Sequence, residues 1–312
     1  MTADGVGAAI ATNVERVLLG KRAQVRIVVA ALLAGGHVLV EDAPGVGKTL
    51  LAKAVARSIG GTVGRVQGTA DLLPADITGV TIFDQERRDW DFRPGPLFNH
   101  VLLVDEINRA TPRAQSALLE AMAEGHVTVD GSQHDLPEPF LVLATQNPFG
   151  DAGTFPLIAG EYDRFAVSVS LGLPGRDVER ELLRGNGGMS ALDALEPVTD
   201  PIGLARCQRE VAAMHVASAV EEYVLDIAEA TRIGGPGSPG DRGISPRATQ
   251  ALLAVAKGCA ATVGRTYVTP DDVQTVASAV LSHRMQGDTT TGLSAASAAV
   301  AEMLTSVAVP SV

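Results

Sequence analysis

The hexapeptide Pro44-Gly45-Val46-Gly47-Lys48-Thr49 constrains this chain more than any other stretch. It follows the apolar run His37-Val38-Leu39-Val40 and precedes the helix-forming run Leu50-Leu51-Ala52-Lys53-Ala54-Val55-Ala56. A buried strand, a glycine turn bearing Gly-Lys-Thr and then a helix predict a phosphate-binding loop. Glycines let backbone N–H groups turn inward around phosphate oxygens, and the helix that starts there aims its positive end at the same anion. In this reading Pro44, Gly45, Val46, Gly47, Lys48, Thr49 and Leu50 bind nucleotide phosphates. Lys48 reaches the outer phosphates and the Thr49 hydroxyl holds Mg²⁺. The plainer alternative is a glycine turn that merely ends a strand. Such turns are common, but Gly-Lys-Thr between a strand and a helix is not. One residue departs from the Gly-x-x-x-x-Gly-Lys-Thr pattern: Asp42 stands where the first glycine falls. Aspartate tolerates left-handed backbone, so the turn can still form, but a negative charge is then expected near the phosphates.

The 312 residues suggest one large or two moderate domains, and 46% hydrophobic residues suffice for a sizeable core. With aromatics at only 4%, that core is built from Ala, Val, Leu and Ile. No run approaches the ~20 apolar residues that span a bilayer. The first twenty residues hold no basic segment followed by an apolar one. A soluble, cytoplasmic protein is therefore expected. Cys207 and Cys259 match no metal or redox spacing and read as small core residues. The formal net charge of −11, with no dense Lys/Arg run, weighs against nonspecific binding of nucleic acid.

Apolar strands are expected at residues 37–41, 62–67, 101–104, 140–145 and 165–171, with helices at 14–34, 49–58 and 113–123. Strands alternating with helices predict an α/β fold with a parallel sheet covered on both faces. Residues 67–96 do not fit that alternation. They read as an insertion with a short hairpin, within which Phe83, Trp90 and Phe92 pack. Asp130-Gly131 predicts a second hairpin. After Leu173-Pro174-Gly175 no core strand is expected. Helices are read at 177–184, 201–215, 220–231, 246–258, 270–283 and 294–304, with a glycine- and proline-rich loop at 234–240 and a loose stretch after Gly287. The division expected is a core over residues 1–175 and a helical domain over 176–312. Ser245-Pro246-Arg247 is a clear helix start, a capping serine and a first-turn proline. A cation there opposes the helix dipole, which marks Arg247 as a candidate for binding an anion.

Val101-Leu102-Leu103-Val104-Asp105-Glu106 is a buried strand ending in two acids. Such an end lies at the carboxyl edge of a parallel sheet, where ligands bind. Asp105 can orient a water on Mg²⁺, and Glu106 can polarise the attacking water as a general base. Asn147 ends a third apolar strand, where it can bond that water or the γ-phosphate while shaping the turn before Pro148. Arg164 precedes the fifth strand, and it could pair with Asp163, face solvent or reach a phosphate in a neighbouring subunit.

The order of these motifs closely resembles the MoxR family of AAA+ ATPases. The resemblance is carried by the phosphate loop, Val104-Asp105-Glu106-Ile107-Asn108-Arg109-Ala110, Gln115 to Met122, Ala144-Thr145-Gln146-Asn147-Pro148, Tyr162-Asp163-Arg164-Phe165 and Ser245-Pro246-Arg247-Ala248. It covers about residues 15–285. The resemblance implies an αβα core with strand order 5-1-4-3-2 followed by a small helical lid. It also implies a homo-oligomeric ring, usually of six subunits, with ATP bound between neighbours. By carry-over Lys48 and Thr49 bind phosphate and Mg²⁺, Asp105 and Glu106 form the Walker B pair, and Asn147 is sensor 1. Arg164 is the arginine finger acting on the adjacent subunit, and Arg247 is sensor 2. Leu157-Ile158-Ala159-Gly160-Glu161 stands where the family more usually has Pro-Glu-Ala-Gln-Leu. The family's chaperone-type activity and its partners with a von Willebrand factor A domain imply ATP-driven remodelling of a protein client. The alternatives are a nucleic-acid motor, a chelatase-type motor subunit and a nucleotide-gated module with little turnover.

Overall fold

The computed structural model describes residues 3–147, 153–232, 243–285 and 293–310. Pro148, the stretch 234–240 and residues 287–292 lie outside them. Two helices open the chain, α1 (Ala3–Val17) and α2 (Arg22–Leu33). The alternation that follows is β1 (His37–Glu41), α3 (Lys48–Ser58), β2 (Val63–Gln67), α4 (Pro74–Thr78), the hairpin β3 (Gly79–Asp84) and β4 (Asp89–Pro94), β5 (Val101–Asp105), α5 (Pro112–Glu124), the hairpin β6 (His126–Val129) and β7 (Ser132–Asp135), β8 (Leu141–Gln146), α6 (Ala159–Tyr162) and β9 (Phe165–Val169). The rest is helical: α7 (Arg176–Leu183), α8 (Gly188–Asp193), α9 (Pro201–Ala212), α10 (Ser218–Ala230), α11 (Pro246–Thr262), α12 (Pro270–Leu281) and α13 (Leu293–Ser306).

The five parallel strands lie in the order β2-β5-β8-β1-β9. Numbered by their sequence among the core strands, this is the 5-1-4-3-2 arrangement. Alternation of side chains divides the sheet between two cores. Val38, Val40, Val101, Leu103, Leu141, Leu143, Val167 and Val169 join the helices α1, α2 and α3 and the late helices. Leu39, Leu102, Val104, Val142, Ala144 and Phe165 face α5 and the hairpins. The late helices share the first core. A Cβ on Gly258 of α11 would come within 2.1 Å of the Ala30 carbonyl in α2, so only glycine allows the two helices to approach this closely.

Two expectations are corrected. The predicted single helix over 14–34 is two helices, broken at Gly20 and Lys21. Gly20 has φ +72, and a Cβ there would meet Val178 of α7. The buried Lys21 ammonium donates to the carbonyls of Gly172 and Leu173, both at 2.9 Å. Tertiary docking of the segment after β9 thus overrides local helix propensity. The Asp42 charge does lie near the phosphate loop, where it acts on Lys48, but its carboxylate makes its hydrogen bonds to the segment after β9, as described below. The insertion hairpin packs Phe83 edge-on to Trp90, with ring centroids 5.3 Å apart, yet leaves Trp90 67% exposed. The second hairpin forms as expected, with both Asp130 and Gly131 at positive φ.

Candidate nucleotide-binding site

Three adjacent strands, β5, β8 and β1, deliver their ends to one edge of the sheet. Val104 lies beside Ala144, and Gln146 beside Glu41. After Glu41 the chain turns through residues 42–47, with Gly45 at φ +88 and Gly47 at φ +104. A Cβ at either position would meet nothing within 4 Å, so glycine is required there by backbone conformation rather than by space. Gly47 is the N-cap of α3, and no side chain caps that helix. Its first N–H groups are therefore available to an anion placed over Lys48, Thr49 and Leu50. Pro44 and Gly45 are exposed, and Val46, Gly47, Lys48, Thr49 and Leu50 are half-buried.

Lys48 Nζ donates to the Asp42 carbonyl at 2.7 Å. Partial burial lowers its pKa from the ordinary lysine value, opposed by the charges of Asp42, Asp105 and Glu106. Lys48, Asp42 and the two acids at the end of β5 therefore share one electrostatic site. The Asp42 side chain faces elsewhere. Its Oδ1 accepts from the Ser170 hydroxyl at 2.9 Å and the Gly172 N–H at 3.2 Å, while Oδ2 accepts from the Leu171 N–H. The aspartate pins the loop to the segment leaving β9, and its buried carboxylate is satisfied there.

Asp105 ends β5 and accepts from Arg65 Nε on the neighbouring strand at 2.8 Å. Glu106 follows in the left-handed region, φ 55, a conformation that costs a non-glycine residue roughly 1 kcal/mol or more. Its N–H is fixed by the Thr145 hydroxyl at 2.9 Å. Its carboxylate accepts from Arg109 at 2.9 Å and from Gln67 at 3.5 Å. Gly68 lets the end of β2 close on this turn. Its N–H donates to the Asp105 carbonyl at 2.7 Å, and a Cβ there would stand 2.1 Å from the Glu106 carbonyl. Asn147 follows β8 directly, next to Gln146, whose side chain bonds the Tyr162 hydroxyl at 3.1 Å. Lys48, Thr49, Asp105, Glu106 and Asn147 are thus brought to one edge. Among the described residues no cluster of three or more His, Cys, Asp or Glu could hold a metal ion. Thr49 and Asp105, flanking Lys48, suit Mg²⁺, which keeps most of its waters and needs only one or two protein oxygens.

Arg164 and Arg247 belong to the opposite edge. Phe165 pairs with His37, the first residue of β1, so Arg164 lies one strand length, about 16 Å at ~3.3 Å per residue, from the loop that follows Glu41. The departure from the family's usual lead-in forms α6, closed by a bond from the Ile158 N–H to the Glu161 carboxylate at 2.9 Å. Arg164 Nε is buried without a hydrogen-bond partner among the described residues. Arg247 is exposed in the first turn of α11, whose cap Ser245 donates to Asp163 Oδ2 at 2.8 Å. Arg284 donates to Asp163 Oδ1 at 2.8 Å. Burial lowers the Arg284 pKa, Asp163 opposes that, and the charge of Arg247 lowers it further. Sequence reasoning assigned no role to Arg65, Gln67, Arg109, Thr145 or Arg284, read Ser245 only as the cap of its helix and named Asp163 only as a possible partner of Arg164. The polar ends of the strands were the signal available for Gln67 and Thr145.

The sheet order, the phosphate-type loop and the acids beside it define a nucleotide-binding αβα core with a helical lid. Residues 37–167 match the ATPase family associated with various cellular activities, and residues 241–303 match the AAA lid domain. The protein YeaC of Bacillus subtilis (strain 168) is 43% identical, covering 88% of this chain and 84% of that protein. The chaperone MoxR1 of Mycobacterium tuberculosis is 39% identical, covering 91% of this chain and 78% of its own length. The crystal structure of a Cytophaga hutchinsonii protein assigned as an ATPase superposes with a TM-score of 0.85 at 29% identity, over 99% of this chain and 96% of that one. This chain belongs to the MoxR family of AAA+ ATPases.

Proposed function

We propose that the chain hydrolyses Mg-ATP in a homo-oligomeric ring, most simply a hexamer, and that the cycle remodels or activates a protein client. The sidedness of the sheet carries this reading. The carboxyl edge offers an anion site, a lysine and two acids, while Arg164 sits a strand length away with its Nε unpartnered. An arginine so placed serves a site on another copy. The loop from Pro44 to Leu50 cradles the phosphates, with Lys48 on the outer ones. Thr49 and Asp105 hold Mg²⁺, which supplies neutralisation of phosphate charge. Glu106 takes the proton of the attacking water, and Asn147 orients that water. Arg164 of the adjacent subunit stabilises the transition-state charge, and Arg247 contributes a second cation. Arg109 and Gln67 both hold Oε2 of Glu106, which orients the carboxylate and leaves Oε1 to the water.

The relative named as a chaperone supports the client-remodelling role, and the family resemblance supports a von Willebrand factor A domain protein as partner, in the cytoplasm. No helix among the described residues is long and apolar enough to cross a membrane. The net charge of −11 weighs against a nucleic-acid motor. The test is phosphate release from the purified chain. The rate per subunit should rise with protein concentration, and Arg164→Ala mixed with Glu106→Gln should regain turnover that neither has alone. A rate independent of concentration together with no gain on mixing would replace the ring with a self-contained site. Affinity capture with Glu106→Gln, which holds ATP without cleaving it, would identify the client.

A further inference from the structure

Asp163 stands between the segment that carries Arg164 and two separate parts of the lid. Oδ1 is held by Arg284, which follows α12, and Oδ2 by Ser245, which caps α11. The Arg284 side chain is only 5% exposed. Its remaining N–H groups donate to the carbonyls of Asp163, Phe165, Ala166 and Val280, so it is fixed on main chain at the start of β9 and the end of α12. Ser245 also accepts the Ala248 N–H at 3.0 Å, so its hydroxyl is part of the α11 terminus itself. Pro246 and Arg247 follow at once. Any movement of Arg247 with that terminus must move the hydroxyl that Asp163 accepts. On the other side, Asp163 is bonded directly to Arg164, whose Nε has no hydrogen-bond partner among the described residues. The direction of Arg164 is therefore set by the main chain that Asp163 anchors.

The geometry points to Asp163 and Ser245 as positioning residues that couple the lid of one subunit to the arginine it presents to the next. This rests on the reading of Arg164 as a finger acting on a neighbour. The coupling would tie the position of the α11 terminus in the lid to the rate at the adjacent site, because misplacing a catalytic group by about 1 Å can cost about 10²-fold in rate.

The diagnostic variant is Ser245→Gly. Glycine at an N-cap costs only a few tenths of a kcal/mol, and the variant leaves the Asp163–Arg284 pair in place. Asp163→Ala would strand a buried guanidinium, so it cannot separate positioning from folding. A thermal melt close to wild type and an unchanged affinity for a fluorescent ATP analogue are expected for Ser245→Gly. Its kcat should fall by up to about 10²-fold. Mixing then assigns the defect. With Glu106→Gln, turnover should return, because the intact site of the Ser245→Gly subunit receives a well-placed Arg164 from its neighbour. With Arg164→Ala it should not return, because the only complete site then depends on the misdirected finger. The opposite pattern would place Ser245 at its own subunit's nucleotide and overturn the inference, as would wild-type kcat or any other pattern of rescue. The control pair Arg164→Ala with Glu106→Gln separates the two levels. A gain in the control beside the wrong Ser245 pattern sinks the coupling alone, whereas no gain in the control sinks the finger reading itself.

Discussion

At the carboxyl edge of the sheet each acid has a partner within its own chain. Asp105 has Arg65, Glu106 has Arg109 and Gln67, and Asp42 has the segment 170–172. At the amino edge Arg284 and Ser245 divide the Asp163 carboxylate between them, and the neighbouring Arg164 Nε is left unbonded. One edge is an assembled site at rest. The other is a half-buried arginine on a rigid base, its Nε unbonded among the described residues. In the proposed mechanism this difference divides the chemistry over the two ends of a five-residue strand, with Arg164 serving the nucleotide of a neighbouring copy.

Arg164→Ala breaks that comparison most severely. A finger that is fully engaged contributes about 10³–10⁵ in rate, so phosphate release should fall by that order while the binding of a fluorescent ATP analogue persists. A loss of binding equal to the loss of rate would move Arg164 from catalysis to nucleotide affinity. Glu106→Gln is expected to lose about 10²–10⁴ through removal of the general base, again with ATP retained. Turnover at the wild-type level would mean that another group activates the water.

How far the sequence discloses each edge follows from the range of the contacts. The loop from Pro44 to Thr49 and the acids after Val104 are local signals, since each is a strand end and its next few residues. Four of the five core strands were legible as short, largely apolar runs between polar turns, whereas β2 alternates exposed and buried residues. The Gly20–Lys21 break was not legible, since its cause is a lysine bonded to carbonyls about 150 positions later. Asp42 was read only as a charge near phosphate, and its pinning role was missed because its partners, Ser170, Leu171 and Gly172, lie 128 to 130 positions away. Asp163 and Arg284 are likewise 121 positions apart. A buried carboxylate finds its partners by topology, which no window of sequence contains.

Acid should separate the two edges by stability. His37 begins β1 at the amino edge, buried, with Nε2 3.1 Å from the Met122 carbonyl and Nδ1 accepting the Val142 N–H at 3.0 Å. Burial pushes its pKa from 6.5 down to about 4, against the Met122 bond. Burial also pushes His283, bonded to the Phe165 carbonyl at 3.1 Å, well below the ordinary value, and the neighbouring Arg284 charge lowers it further. The unfolded chain therefore takes up protons first. Stability is full above about pH 6.5 and declines as pH falls toward 4, and His37 alone accounts for about 3 kcal/mol across that window. Denaturant titrations at stepped pH should show a shallower decline in His37→Gln than in wild type. Equal slopes would mean that His37 is protonated in the fold or accessible to solvent.

The smallest effect is expected from Asp42→Asn, and it distinguishes the two accounts of that residue. If the carboxylate faced the phosphates, neutralising it would tighten ATP binding. Its three hydrogen bonds instead come from Ser170, Leu171 and Gly172, so the charge supports the contact between the loop and the end of β9. The amide retains one acceptor oxygen and presents an NH₂ to a main-chain donor. The expected cost is about 1–2 kcal/mol, in the range for losing charge-assisted bonds at a buried site, and it should appear as a lower midpoint in denaturant. Affinity for the ATP analogue should stay within about twofold of wild type, a shift worth less than about 0.5 kcal/mol. A tenfold gain in affinity with no loss of stability would return Asp42 to the phosphate site.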